Sequence, residues 1–123
     1  MANELDISTL TINFDKTNCP SVEVAPTALS VTVSGNQFMD NVQAVTSTEV
    51  AIVLGDVAPG GYWFVQNMDA TNFVEIRASS GGTDLIKLLA GEWAIFRTSA
   101  DATAPYAIAN TAACNVRFLR FDV

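Results

Sequence analysis

Tyr62-Trp63-Phe64-Val65-Gln66-Asn67 is followed, after Met68-Asp69-Ala70-Thr71, by Asn72-Phe73-Val74-Glu75-Ile76-Arg77-Ala78. Side chains along a strand alternate between two faces, so each segment sorts its residues by parity. The pairing with the best segregation is a hairpin that sets Trp63 opposite Ile76 and Val65 opposite Val74. These four residues are the expected core face. The reverse face sets Tyr62, Phe64 and Gln66 against Arg77, Glu75 and Phe73. It mixes aromatics with charges, which suits a contact surface better than a solvated one.

The same pattern extends outward. Leu29, Val31 and Val33 alternate with Ser30, Thr32 and Ser34, and Leu10, Ile12 and Phe14 repeat the pattern. A second hairpin is expected to turn near Ala90-Gly91, pairing Leu88 with Trp93 and Ile86 with Ile95 on the core side. Asp84 then lies opposite Arg97 as an ion pair, and Leu85, Lys87, Ala94 and Phe96 form the reverse face. A three-residue loop would set Lys87 against Trp93 and break the segregation. Val and Thr, both favoured on pleated surfaces, supply 25 residues. Prolines fall between the apolar runs, at Pro20, Pro26, Pro59 and Pro105, where no ladder donor is needed. No window carries a helical stripe. Regularly spaced short strands with turn signals give an all-β, single-domain antiparallel β-sandwich over residues 1–123. The acidic, Thr-rich start and the Asn18-Cys19-Pro20 break leave residues 1–20 either folded on that domain or extended as an N-terminal arm.

Composition narrows the function. The chain has 123 residues, half of them hydrophobic and 15% charged, with a net charge of −7 and no histidine. That excludes disorder, and the acidic balance argues against nucleic-acid binding. No apolar run reaches the roughly 18 residues that span a bilayer. Met1–Asp6 has no basic or apolar leader pattern, so synthesis in the cytosol is expected. Residues 1–76 hold nine acids and one base, and residues 77–123 hold four acids and five bases. If these halves lie on different faces, the molecule is electrically polar; simple solvation of loops is the plainer alternative. Cys19 and Cys114 form no CxxC motif and have no histidine to complete a zinc site, so two reduced thiols are expected.

Without histidine the usual proton shuttle is missing, and no nucleotide-loop or nucleophile-elbow motif is present. No catalytic residue, cofactor or metal is therefore expected. Asn67-Met68-Asp69-Ala70-Thr71-Asn72 has oxygens at alternate positions, as calcium loops do, but it lacks the sharp-turn glycine and a second early acid. Side-chain bonding to its own backbone explains it as a turn. Trp63 and Trp93 could stack on sugars, yet both fall on the expected core faces. The scarcity of charge leaves apolar surface to be buried between subunits. The residues expected at that interface are Tyr62, Phe64, Phe73, Arg77, Leu85, Phe96, Leu119 and Phe121.

Leu54-Gly55-Asp56-Val57, the Gly61–Ile76 segment, Leu88-Leu89-Ala90-Gly91-Glu92-Trp93-Ala94-Ile95-Phe96-Arg97 and Ala112-Ala113-Cys114-Asn115-Val116 together resemble small virion structural proteins of tailed bacteriophages. The resemblance covers roughly residues 40–121 and carries no residue-level functional motif. It implies a β-sandwich, often jelly-roll-like, built into the particle. By size it points to a capsid decoration (cement) protein, commonly a homo-oligomeric trimer clamping the major capsid protein on the outside of the virion. A tail, neck or fibre component is the alternative, and a host-surface carbohydrate-binding module a third reading. That last reading would be favoured if Trp63 or Trp93 were exposed.

Overall fold

The structure, a computed structural model, describes residues 4–15, 17–18, 20–33 and 37–122. Cys19 and Ser34 lie outside the described residues. Twelve strands and no helix occur among those described. They fall into two compact units, Met1–Ser34 and Gly35–Val123.

The first unit holds two separate strand pairs. β1 (Glu4–Ile7) runs antiparallel to β4 (Leu29–Thr32), with Leu5 opposite Val31, and β2 (Ile12–Phe14) runs antiparallel to β3 (Val22–Val24), with Ile12 opposite Val24. Val31 is buried, whereas Ile12, Val24 and Leu29 are exposed. Among the described side chains of this segment, Val31 is the buried hydrophobic one.

The second unit holds β5 (Phe38–Val45), β6 (Val50–Ala51), β7 (Gly61–Asn67), β8 (Val74–Arg77), β9 (Asp84–Leu88), β10 (Trp93–Thr98), β11 (Tyr106–Ala109) and β12 (Cys114–Phe121). They form two four-stranded antiparallel sheets, ordered β10-β7-β12-β5 and β6-β11-β8-β9. The pairing is nested: β5 with β12, β6 with β11, β7 with β10 and β8 with β9, so the ends of the unit meet and its middle folds inside them. Trp63, Val65, Val116 and Phe118 from one sheet pack against Val74, Ile76, Leu88 and Ala107 from the other in one core. The unit is a β-sandwich.

This arrangement confirms the core assignment of Trp63, Val65, Val74 and Ile76, all buried, but corrects both hairpins. β7 pairs with β10 and β12 and not with β8, and β9 pairs with β8 and not with β10. Trp63 and Ile76 therefore face each other across the sandwich, from opposite sheets. Leu88 and Ile86 pair with Val74 and Ile76, and Asp84 meets Arg77 instead of Arg97. Trp93 and Ile95 turn outward, 49% and 37% exposed, while Ala94 and Phe96 pack on the core. The physical reason lies in the two short connections, which cross between sheets instead of turning within one. The buried Asn67 amide holds both, donating to the carbonyls of Asn72 (2.8 Å), Leu88 (3.1 Å) and Leu89 (3.2 Å). Gly91, at φ +78°, permits the sharp reversal between β9 and β10.

At the opposite end of β7 the indole of Trp63 is the packing centre. Phe96 stacks on it with centroids 5.8 Å apart, and Phe118 meets it edge-on at 6.5 Å. The Arg120 guanidinium lies 3.9 Å from the ring centroid. Trp63 Nε1 donates to Thr98 Oγ1 (3.0 Å), which donates on to the Pro59 carbonyl (2.7 Å). Gly60 sits so close to the Ser99 carbonyl that an added Cβ would come within 2.8 Å of it.

Arg120 is fully buried on the core side of β12. It donates to the carbonyls of Val57 and Ala58, and its Nε is unpartnered. Burial pulls its pKa down to about 10, so it remains charged at neutral pH. Arg120→Ala would remove the donors for two loop carbonyls and the cover over the indole. We expect a loss of roughly 3–5 kcal/mol in urea unfolding. Arg120→Met, which keeps the aliphatic cover, should lose distinctly less. Equal losses would mean that the aliphatic cover contributes nothing and that the guanidinium and its bonds to the loop carbonyls carry the whole effect.

Candidate functional site

The outward face of the β10-β7-β12-β5 sheet is built by register. Arg97, Tyr62, Phe121 and Phe38 lie side by side across the four strands. The next row is Ile95, Phe64, Leu119 and Asp40, and the third is Trp93, Gln66, Arg117 and Val42. Eight of these twelve positions are apolar or aromatic. Phe38 is 67% exposed and Val42 51% exposed. Aromatic contacts stiffen the surface: Phe38 stacks on Phe121 at 6.4 Å, Phe64 tilts against Trp93 at 6.0 Å, and Arg97 lies over Tyr62 at 5.1 Å. With strands about 4.8 Å apart and same-face residues about 7 Å apart, the patch covers roughly 400 Å². A patch of that size on a monomer is often functional.

Its charge is sparse and specific. Arg117 grips Asp40 with two parallel bonds, Nε to Oδ1 at 2.9 Å and Nη2 to Oδ2 at 2.7 Å. That grip holds the Asp40 carboxyl below its ordinary value and raises Arg117. Arg97 has no carboxylate partner among the described residues, leaving the face with one net positive charge on an acidic chain.

The opposite outer face, on the β6-β11-β8-β9 sheet, is neutralised. Arg77 bridges Glu49 at 2.7 Å and Asp84 at 2.5 Å, and Lys87 lies 3.9 Å from Glu75 and 3.7 Å above the Phe73 ring. Glu49 also accepts from Ser80 Oγ (2.7 Å) and the Gly81 amide (2.9 Å). Hydrogen bonds from Arg77, Ser80 and Gly81 hold Glu49 below its usual carboxylate range, and Arg77 does the same for Asp84. The pairs Asp40–Arg117, Glu49–Arg77 and Glu75–Lys87 each join an acid of the first 76 residues to a base of the remainder. Within the second unit, acids of the first half and bases of the second are thus interleaved.

Of the residues expected at an interface, Tyr62, Phe64, Leu119 and Phe121 come together on the aromatic face. Arg77 lies on the other sheet, as does Leu85, 70% exposed at the bulge where β9 slips against β8, and Phe73 precedes that sheet's β8. Phe96 is corrected to the core, because its stack on Trp63 fixes the inward parity of β10. Phe38, Asp40, Val42, Trp93, Ile95, Arg97 and Arg117 join the face without having been expected there. Arg97 carried the available signal, since it shares parity with Trp93 and Ile95 and marks that side of β10 as outward.

The Asn67–Asn72 segment is a turn. Asp69 Oδ2 accepts from the amides of Thr71 (2.9 Å) and Asn72 (2.6 Å), which hold its carboxyl below the ordinary range. Cys114 is a free thiol, pushed up by burial. Compared with known proteins, the chain matches no family model, no curated protein and no solved structure.

The lowered carboxyls give stability a defined pH dependence. Folded Asp40, Glu49, Asp69 and Asp84 lose their protons more readily than the unfolded chain does, so the unfolded state binds more protons in acid. Their contribution is complete above the ordinary carboxylate range and is lost as pH falls through the lowered values. Thermal unfolding should give a flat Tm between about pH 6 and 8, where no histidine titrates, and a Tm that falls progressively below about pH 5. Glu49→Gln should flatten part of that fall. A Tm rising on acidification would contradict the assignment.

Proposed function

We propose that the chain is a non-enzymatic bacteriophage virion structural protein, a capsid decoration protein that binds the major capsid lattice through the aromatic face of its β10-β7-β12-β5 sheet. The single observation that carries this reading is the asymmetry of the two outer faces. One is tied up in ion pairs, and the other offers aromatic rows, an unpaired arginine and little charge. Interface cores favour aromatics and arginine in the same way. The nested pairing of eight strands supports the reading, because it fits a jelly roll, an architecture used in viral capsids and lectins. Fold alone does not fix function, so the argument rests on the face. A standard interface needs about 800 Å² per partner, about twice the patch, so the rim must contribute. Self-association into a trimer would bury part of it and leave the remainder for the capsid.

Trp93 favours a second reading. Half-exposed and in one row with Gln66 and Arg117, it offers a stacking ring beside hydrogen-bonding groups, as a carbohydrate-binding surface would.

Light scattering after size exclusion should give a trimer for the native chain. Phe64→Glu, central on the face, should give a monomer with at least about 30-fold weaker association and an unchanged circular dichroism spectrum. Phe73→Glu, beside the start of β8 and away from this face, should assemble normally. A ring of six or twelve would move the assignment to the neck or tail. If Phe64→Glu both assembles and binds the capsid like the native chain, this face is not the contact. Glycan binding that disappears in Trp93→Ala would replace the capsid reading with the carbohydrate one.

A further inference from the structure

Between the two sheets, on the side bounded by the edge strands β9 and β10, the core of the second unit is open. A cavity of about 460 Å³ lies there, walled by Trp63 and Phe96 from one sheet and Ile76 and Ile86 from the other. Its volume is about three times that of an apolar cavity known to take one benzene ring, and it falls in the range of small-molecule sites. The opening has a cause in sequence. Among the described residues no strand links β9 to β10 along this side, and the wall carries only small side chains at Ala102 and, at the exposed mouth, Ala78. Water in an apolar recess is readily displaced by an apolar group.

The polar groups at its margin are few and unequal. Arg77 is already held by Glu49 and Asp84, and Asp101 accepts from Ser99 Oγ. Thr103 donates to the Ala78 carbonyl, and Thr98 is engaged by Trp63 and Pro59. Arg97 remains. It lines this cavity and an adjoining hollow, touches the Tyr62 ring, and has no carboxylate partner among the described residues. An apolar recess beside an unpaired guanidinium matches one ligand chemistry, an apolar chain ending in a carboxylate.

We propose that this cavity binds a fatty-acid-like carboxylate, with the chain between the sheets and the head group at Arg97. The site shares Arg97 with the margin of the outer aromatic face but does not depend on the virion reading.

Trp63 in the wall is a built-in reporter. The experiment uses the full chain carrying Trp93→Phe, titrated below micelle formation with ω-bromoundecanoate, whose bromine quenches indole fluorescence on contact, and with ω-bromoundecanol as the uncharged comparison. We expect saturable quenching by the acid and about tenfold weaker binding of the alcohol. Arg97→Gln should bring the acid to the affinity of the alcohol. Ala102→Leu and, independently, Ala78→Leu should abolish quenching while leaving Tm unchanged or raised. Absence of saturable quenching overturns the site. Quenching that survives both filled variants overturns it too, because the acid then sits elsewhere. Equal affinity for acid and alcohol overturns the role of Arg97.

Discussion

The stack of Phe96 on Trp63 is the contact from which the rest of the second unit follows. It sets the parity of β10: with Phe96 inward, Ala94 and Thr98 must also face the core, and Trp93, Ile95 and Arg97 must face out. Thr98 is then in position to accept from the indole and donate to Pro59, which fixes the turn leading into β7. Had β10 been one residue out of register, Trp93 would lie inside and the outer surface would lose its exposed tryptophan. The aromatic face is therefore a consequence of how the core is packed.

The two outer faces answer different demands. A solvated sheet face needs its charges satisfied, and Arg77, Glu49, Asp84, Lys87 and Glu75 satisfy one another across β8, β9 and the neighbouring loops. Exposed pairs of this kind contribute little stability each; their effect is to make that side hydrated and indifferent to partners. On the other side only Arg117 and Asp40 are matched, and the remaining rows are ring and aliphatic surface. Removing apolar surface from water is the general driving force for association, and a patch in which few charges must be desolvated keeps most of that gain.

The burial pattern was legible in sequence and the pairing was not. Trp63, Val65, Val74 and Ile76 are inward because period two holds for any buried strand, whichever strand lies beside it. The choice of neighbour depends on where the chain crosses between sheets, and here a single buried amide, that of Asn67, gathers the crossings at one end. Local segregation makes the 62–78 and 84–98 hairpins look self-sufficient, and only the actual neighbours, β10 and β12 for β7 and β9 and β11 for β8, show otherwise. Part of the candidate site could be read for the same reason: Tyr62, Phe64, Leu119 and Phe121 follow from parity alone. Trp93 and Ile95 read as inward because a hairpin at Ala90-Gly91 segregates them with Leu88 and Ile86, although Arg97 on the same side points outward. Arg120 warns against using that clue as a rule, for it shares its side of β12 with Val116 and Phe118 and is fully buried, covered by an indole and two carbonyls.

Strand edges offer another route to association, and here they are obstructed. β6 has only two residues, and β9 carries the bulge that throws Leu85 outward. β5 is long, but its Gln43 side chain bonds the Ala51 carbonyl (2.8 Å) and the Val53 amide (3.0 Å), drawing the following segment against it. Charged residues stand at both margins of the aromatic sheet, Asp40 on β5 and Arg97 on β10. Short edges, bulges and edge charges are the devices by which sheet proteins avoid adding strands from a neighbour. With the edges blunted and one broad face neutralised by ion pairs, the apolar gain from association concentrates on the remaining face. On the proposed capsid reading, the partner docks flat onto these rows of side chains, with Arg97 at the margin.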